Sequence, residues 1–85
     1  MENLVTLDLK SWKPKRENLP YWAKWIAKNS IGDYEVFEKK PKLKLDSDWW
    51  HTGGKSQVQR GYFPVKVANW QETLQTIDQF YKTNQ

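Results

Sequence analysis

The sequence predicts an α+β fold: a small, mainly antiparallel sheet of three or four strands with two helices packed on one face, in the order β-α-β-(β)-β-α. Three observations lead there. Val5, Leu7 and Leu9 alternate with Thr6, Asp8 and Lys10, the period of a half-buried strand. Leu19, Trp22, Ala23 and Ile26 recur at helical spacing. Trp70, Leu74, Ile77 and Phe80 do so again, just behind Asn69 and Glu72, which stand as in a capping box.

The elements follow in chain order. Leu4 to Leu9 reads as the first strand, and SWKPKREN as a polar loop in which Pro14 fixes one φ. Asn18 suits an N-cap and Pro20 a first helical turn, so a helix is expected from about Leu19 to Asn29. Lys24 and Lys28 fall on its outer side, with Tyr21 and Trp25 flanking the apolar stripe. Gly32 ends that segment. Tyr34 to Glu38 is the next strand, with Tyr34 and Val36 on one face. Lys42 to Leu45 alternates Lys-Leu-Lys-Leu and reads as a short edge strand, where lysines discourage unwanted pairing. Gly53-Gly54 marks a turn. Gln57 to Val67 reads as a strand broken at Pro64, which cannot donate to a ladder. The last helix starts after Asn69, with Lys82 suited to its C-terminal end.

An 85-residue chain makes one domain with a limited core. It has no cysteine, so neither a disulfide nor a thiolate metal site is available. Aromatic residues are 15% of the chain, and large aromatics suit a small core without cross-links. Trp22, Ile26, Trp70, Leu74 and Ile77 are the expected core. The opening MENLVTLDLK lacks a basic stretch followed by an apolar one, and no run approaches the length of a membrane span. A cytoplasmic location is the expectation.

The motifs for chemistry are thin, so no enzyme, cofactor or metal is expected. GGKS ends like a phosphate-binding loop, but Trp49 stands where that loop needs a glycine. Asp46, Asp48 and His51 are close in sequence without a ligand spacing, and such residues before a turn usually bond their own backbone. RGYFPVKV matches an RNA-recognition strand at Arg60, Gly61, Tyr62 and Val65. It places Pro64 and Val67 where stacking aromatics belong, so no family is assigned from it.

The remaining signal is cations interleaved with aromatic rings in a chain of net charge +4. Lys10, Lys13, Lys15 and Arg16 surround Trp12. Lys39, Lys40 and Lys42 form a second run. Trp49 and Trp50 precede Lys55 and Arg60. Aromatic platforms with cationic neighbours hold single-stranded nucleic acid by stacking and phosphate pairing. These residues are therefore the candidate partner-binding set of a small non-enzymatic module for an anionic partner, single-stranded DNA or RNA. The alternative is a protein-binding accessory or regulatory subunit, because tryptophan and arginine also dominate protein interfaces. That reading needs an apolar patch, for which Trp25, Trp49 and Trp50 are the candidates. The irregular Asp46 to Ser56 segment is expected to be the most mobile part and to contribute to the binding surface.

Overall fold

The computed structural model describes residues 13–44, 46–60 and 68–83. The expected first strand, with Lys10 and Trp12, lies outside the described residues, as do residues 61–67. Among the described residues the fold is a four-stranded antiparallel sheet with one α-helix and two 3-10 turns. The strands are β1 (Trp25–Lys28), β2 (Tyr34–Phe37), β3 (Ser56–Gln59) and β4 (Gln75–Thr76), and the helix is α1 (Ile77–Thr83). Their order across the sheet is β3-β2-β1-β4.

The helix expected over Leu19–Asn29 is absent, and β1 occupies its second half. Ile26 and Ala27 are both buried although they point to opposite faces. A strand buried on both faces reads as a continuous apolar run, and over so few residues helical spacing is satisfied by coincidence. The contacts behind that spacing are nevertheless real. Leu19, Trp22 and Ala23 pack against the cluster that contains Ile26. They arrive there through a turn in which the Ala23 N–H donates to Pro20 O at 3.0 Å. Asn18 ends a 3-10 turn, Arg16–Asn18, rather than capping a helix.

β1 and β2 form a hairpin with Ile26 opposite Val36 and Lys28 opposite Tyr34. Its loop is built by Asn29 and Gly32. The Asn29 side-chain oxygen accepts the N–H groups of Ile31 and Asp33 at 3.2 and 3.0 Å. Gly32 takes φ 96°, as a hairpin loop closed by a left-handed glycine requires. β2 matches its expected strand to within one residue, and its two faces fall as the alternation predicts. β3 begins one residue before the expected strand and runs in the extended conformation behind Gly53-Gly54. Of the strand expected over Lys42 to Leu45, Leu45 lies outside the described residues, and residues 42–44 contribute only a bridge between Lys42 and His51, with bonds of 2.8 and 2.9 Å.

The last expected helix is divided. Trp70–Glu72 is a 3-10 turn, and Asn69 makes no capping bond. Thr73 fastens this turn to the sheet: its hydroxyl donates to Trp70 O at 2.7 Å and accepts the Lys28 N–H at 2.8 Å. β4 then pairs with Trp25 and Ile26, and α1 starts only at Ile77. The Thr76 hydroxyl accepts the Gln79 N–H at 3.1 Å, which caps the helix. Trp70 and Ile77 go to opposite faces of the sheet, a separation no single helix could span.

The core therefore has two halves. On one face Ile26 and Val36 pack with Ile77 and Phe80 of α1, and Leu19, Trp22 and Tyr34 close the edges. On the other, Ala27 and Phe37 pack with Trp50 and Trp70. The two helices expected on one face are replaced by α1 on one side and an aromatic loop layer on the other. The Trp50 ring meets Phe37 and Trp70 edge-on, with centroids 6.4 and 5.8 Å apart, and its indole N–H donates to Lys28 O at 2.9 Å. Among the described residues no helix is long and apolar enough to cross a membrane.

Two predictions follow from this packing. Phe37→Ala should cost about 3–5 kcal/mol, the range for deleting a buried aromatic. Tyr21→Ala, at a side chain 93% exposed, should stay within about 0.5 kcal/mol of the parent. Urea titrations of both variants measure the contrast, and similar midpoints for the two would refute it. Glu35, half-buried on β2, has its carboxyl pushed up by burial, so its ionised form is disfavoured in the fold. That penalty is present in full above the folded-state pKa and is relieved as pH falls through it. Glu35→Gln should therefore raise the melting temperature at neutral pH, with a gain that shrinks to nothing in acid. A gain independent of pH would point to packing instead.

Candidate anion-binding rim

One end of the sheet, opposite the β1–β2 loop, gathers cations from three neighbouring strands. Lys24 leads into β1; its N–H donates to Phe37 O and its C=O accepts the Ile77 N–H, both at 2.9 Å. Glu38 follows β2 and donates its N–H to Lys55 O at 2.9 Å. Lys55 leads into β3 and donates its own N–H to the Glu38 side-chain oxygen Oε1 at 3.3 Å. Lys39 and Lys40 continue from Glu38. The rim thus joins Lys24, Lys39, Lys40 and Lys55 around one carboxylate.

Two aromatic rings stand among these lysines. Tyr21 leaves the turn after Pro20 with almost no cover, and Lys55 Nζ lies 6.0 Å from its ring centroid. Trp25 is half-buried, and Lys40 Nζ lies 5.3 Å from its ring. Such placements are electrostatically favourable, though weak where exposed. Among the described residues none of the four rim lysines is in an ion pair. Their positive field is therefore offset mainly by Glu38 and solvent.

The other basic residues are differently occupied. Arg16 pairs with Asp78 of α1 and lies over the Tyr81 ring at 5.7 Å, so it fastens the N-terminal segment to the helix. Tyr81 supports the same junction by donating to Pro14 O at 2.7 Å. Lys15 is exposed at the start of that 3-10 turn, and Lys13 is half-buried. Lys42, two residues beyond Lys40, is exposed, and its backbone is bridged to that of His51. Arg60 belongs to the opposite end of β3, where it pairs at 3.0 Å with Asp33, whose side chain is fully buried. Lys28 lies beside this pair, 4.6 Å from the Tyr34 ring. Burial holds its amine below the usual lysine range, and the Asp33 carboxylate pulls the other way.

The tryptophans also separate. Trp50 is only 6% exposed and is a core residue, so it cannot join Trp25 and Trp49 in a surface patch. Trp49 is 59% exposed, with its ring tilted against His51 at 5.3 Å. Tyr21 and Lys24 were missed as rim residues because a helix would carry them away from the strand ends. The exposure of Tyr21 was the one available signal, since its position beside the apolar stripe left it free to face water.

The remaining polar cluster offers little chemistry. Ser47 Oγ lies 2.7 Å from His51 Nε2 and 3.2 Å from Trp49 O, next to an open groove of about 690 Å³ lined by Leu43, Lys44, Asp46, Ser47, Asp48 and Gln71. A serine–histidine pair needs a further group to orient the imidazole, and among the described residues the His51 ring has no hydrogen-bond partner besides Ser47. No group of three or more possible metal ligands occurs among them either. In comparisons with known proteins, the chain matches no family model, no curated protein and no solved structure.

Proposed function

We propose that this chain is a non-enzymatic module that binds single-stranded nucleic acid at the Lys24–Lys39–Lys40–Lys55 rim. The observation that carries the reading is that these lysines, none of them in an ion pair among the described residues, come from neighbouring strand ends at one edge of the sheet, with Lys55 beside an uncovered Tyr21 and Lys40 over Trp25. Lysines neutralise phosphates and release their counterions. An exposed ring stacks a base for about 1–3 kcal/mol. A single strand can present both groups to one short rim, whereas the stacked bases of a duplex are closed to the ring.

A second reading, a protein-binding accessory subunit, draws on Trp49 and on Leu43, which is also exposed. Trp49→Ala separates the two: it weakens a protein partner and leaves oligonucleotide affinity unchanged.

The nucleic-acid reading is tested by fluorescence anisotropy with a labelled single-stranded oligonucleotide between about 50 and 300 mM salt. Four phosphate contacts should give a slope of log affinity against log salt of roughly −3, and Lys39→Glu with Lys55→Glu should flatten it by about one to two units. Tyr21→Ala should weaken binding by about tenfold with the slope unchanged. An affinity weaker than about 100 μM at the lowest salt, below the range of ordinary non-specific binding, would refute the proposal.

A further inference from the structure

We infer that Glu38 gives the rim a base preference, favouring strands whose bases carry an exocyclic amino group, and cytosine over thymine in particular. The inference rests on the nucleic-acid reading above and adds a specificity-determining residue to it.

Glu38 is an odd residue for a phosphate-binding rim, since its charge repels the backbone that the lysines attract. Its carboxylate nevertheless has a backbone partner at the strand ends. Oε1 accepts the Lys55 N–H at 3.3 Å, and Gly54 leaves the space behind it. A Cβ at Gly54 would stand 2.9 Å from Oε1 and 3.0 Å from Lys39 Cγ. Among the described residues no lysine is within ion-pair distance of Glu38. One oxygen is thus anchored while the other keeps its full acceptor capacity. An ionised carboxylate only accepts, so its partner must be a donor.

On a nucleic acid such donors sit on the bases. Cytosine offers its N4 amino group, and a glutamate accepting from it is a standard pairing; thymine presents O4 at the same place, acceptor against acceptor. Single strands expose these edges, which a duplex hides in its own pairing. Lys55 links the two parts of such a site. Its amine lies by the Tyr21 ring, and its backbone N–H holds Glu38. A base laid on Tyr21 is therefore beside the residue that holds the carboxylate.

The test uses the full chain and labelled oligo(dC) and oligo(dT) of about eight nucleotides, a typical single-strand site size, at neutral pH and low salt. Both bases are pyrimidines of similar size, so the comparison isolates the base edge from stacking. Oligo(dC) should bind about five- to tenfold more tightly than oligo(dT). In Glu38→Gln the ratio should fall towards one, because the amide can also donate to thymine O4. That variant keeps an acceptor for the Lys55 N–H, and an unchanged circular dichroism spectrum verifies its fold. Equal affinities in the parent chain, tighter oligo(dT) binding, or a ratio preserved in Glu38→Gln would each overturn the inference while leaving the module a nucleic-acid binder. Failure of both oligonucleotides to bind would overturn the nucleic-acid reading itself.

Discussion

Two adjacent strands with apolar residues on both faces set the terms for this domain. Ile26 and Val36 need cover on one side of the sheet, Ala27 and Phe37 on the other. Among the described residues there is one α-helix for these two faces. The chain supplies α1 for the first and a layer of loop tryptophans for the second. Large rings make that substitution workable, because each covers roughly 150–250 Å² without needing regular backbone beneath it. Trp50 shows how: its ring fills the space over Phe37 while its N–H satisfies a carbonyl of β1.

The parts that were legible in the sequence are those whose signal is local. β2 is flanked by turn residues and was read almost to its ends, and the chain reversals at Gly32 and at Gly53-Gly54 follow from backbone chemistry that needs no partner, although Asn29 was assigned to a helix and not to the hairpin loop it builds. The elements that were misread are those settled by distant contacts. Ile26 of β1 continues a helical spacing begun by Leu19, Trp22 and Ala23, and only pairing with β2 and β4 makes this segment a strand. The Trp70–Phe80 stripe is helical in spacing too, yet Trp70 belongs to one face and Ile77 to the other. Basic residues were legible as a set but not in their pairing. Arg16 and Arg60 each found an acid far along the chain, which composition cannot show.

That pairing divides the charges by purpose. At the loop end of the sheet, Arg60 reaches a carboxylate that would otherwise be buried alone, and breaking such a pair leaves an uncompensated charge inside the protein. At the opposite end the lysines face water and remain free to exchange counterions. A single +4 total thus conceals an end where charge holds the fold and an end where charge is on offer to a partner.

The short strand β4 has a consequence beyond its size. It is the passage by which the chain leaves the Trp70 side of the sheet and reaches the α1 side, and the bond that secures its approach joins Lys28 to Thr73 across 45 positions. Trp70 from one cover of the central hairpin and α1 from the other are therefore strung on one short crossing, while Trp50 is held separately by its bond to Lys28 O. Were the crossing to detach, Trp70 and the helix would lose their common anchor together. Opening at β4 therefore reaches both half-cores at once and couples them, instead of letting each fray separately.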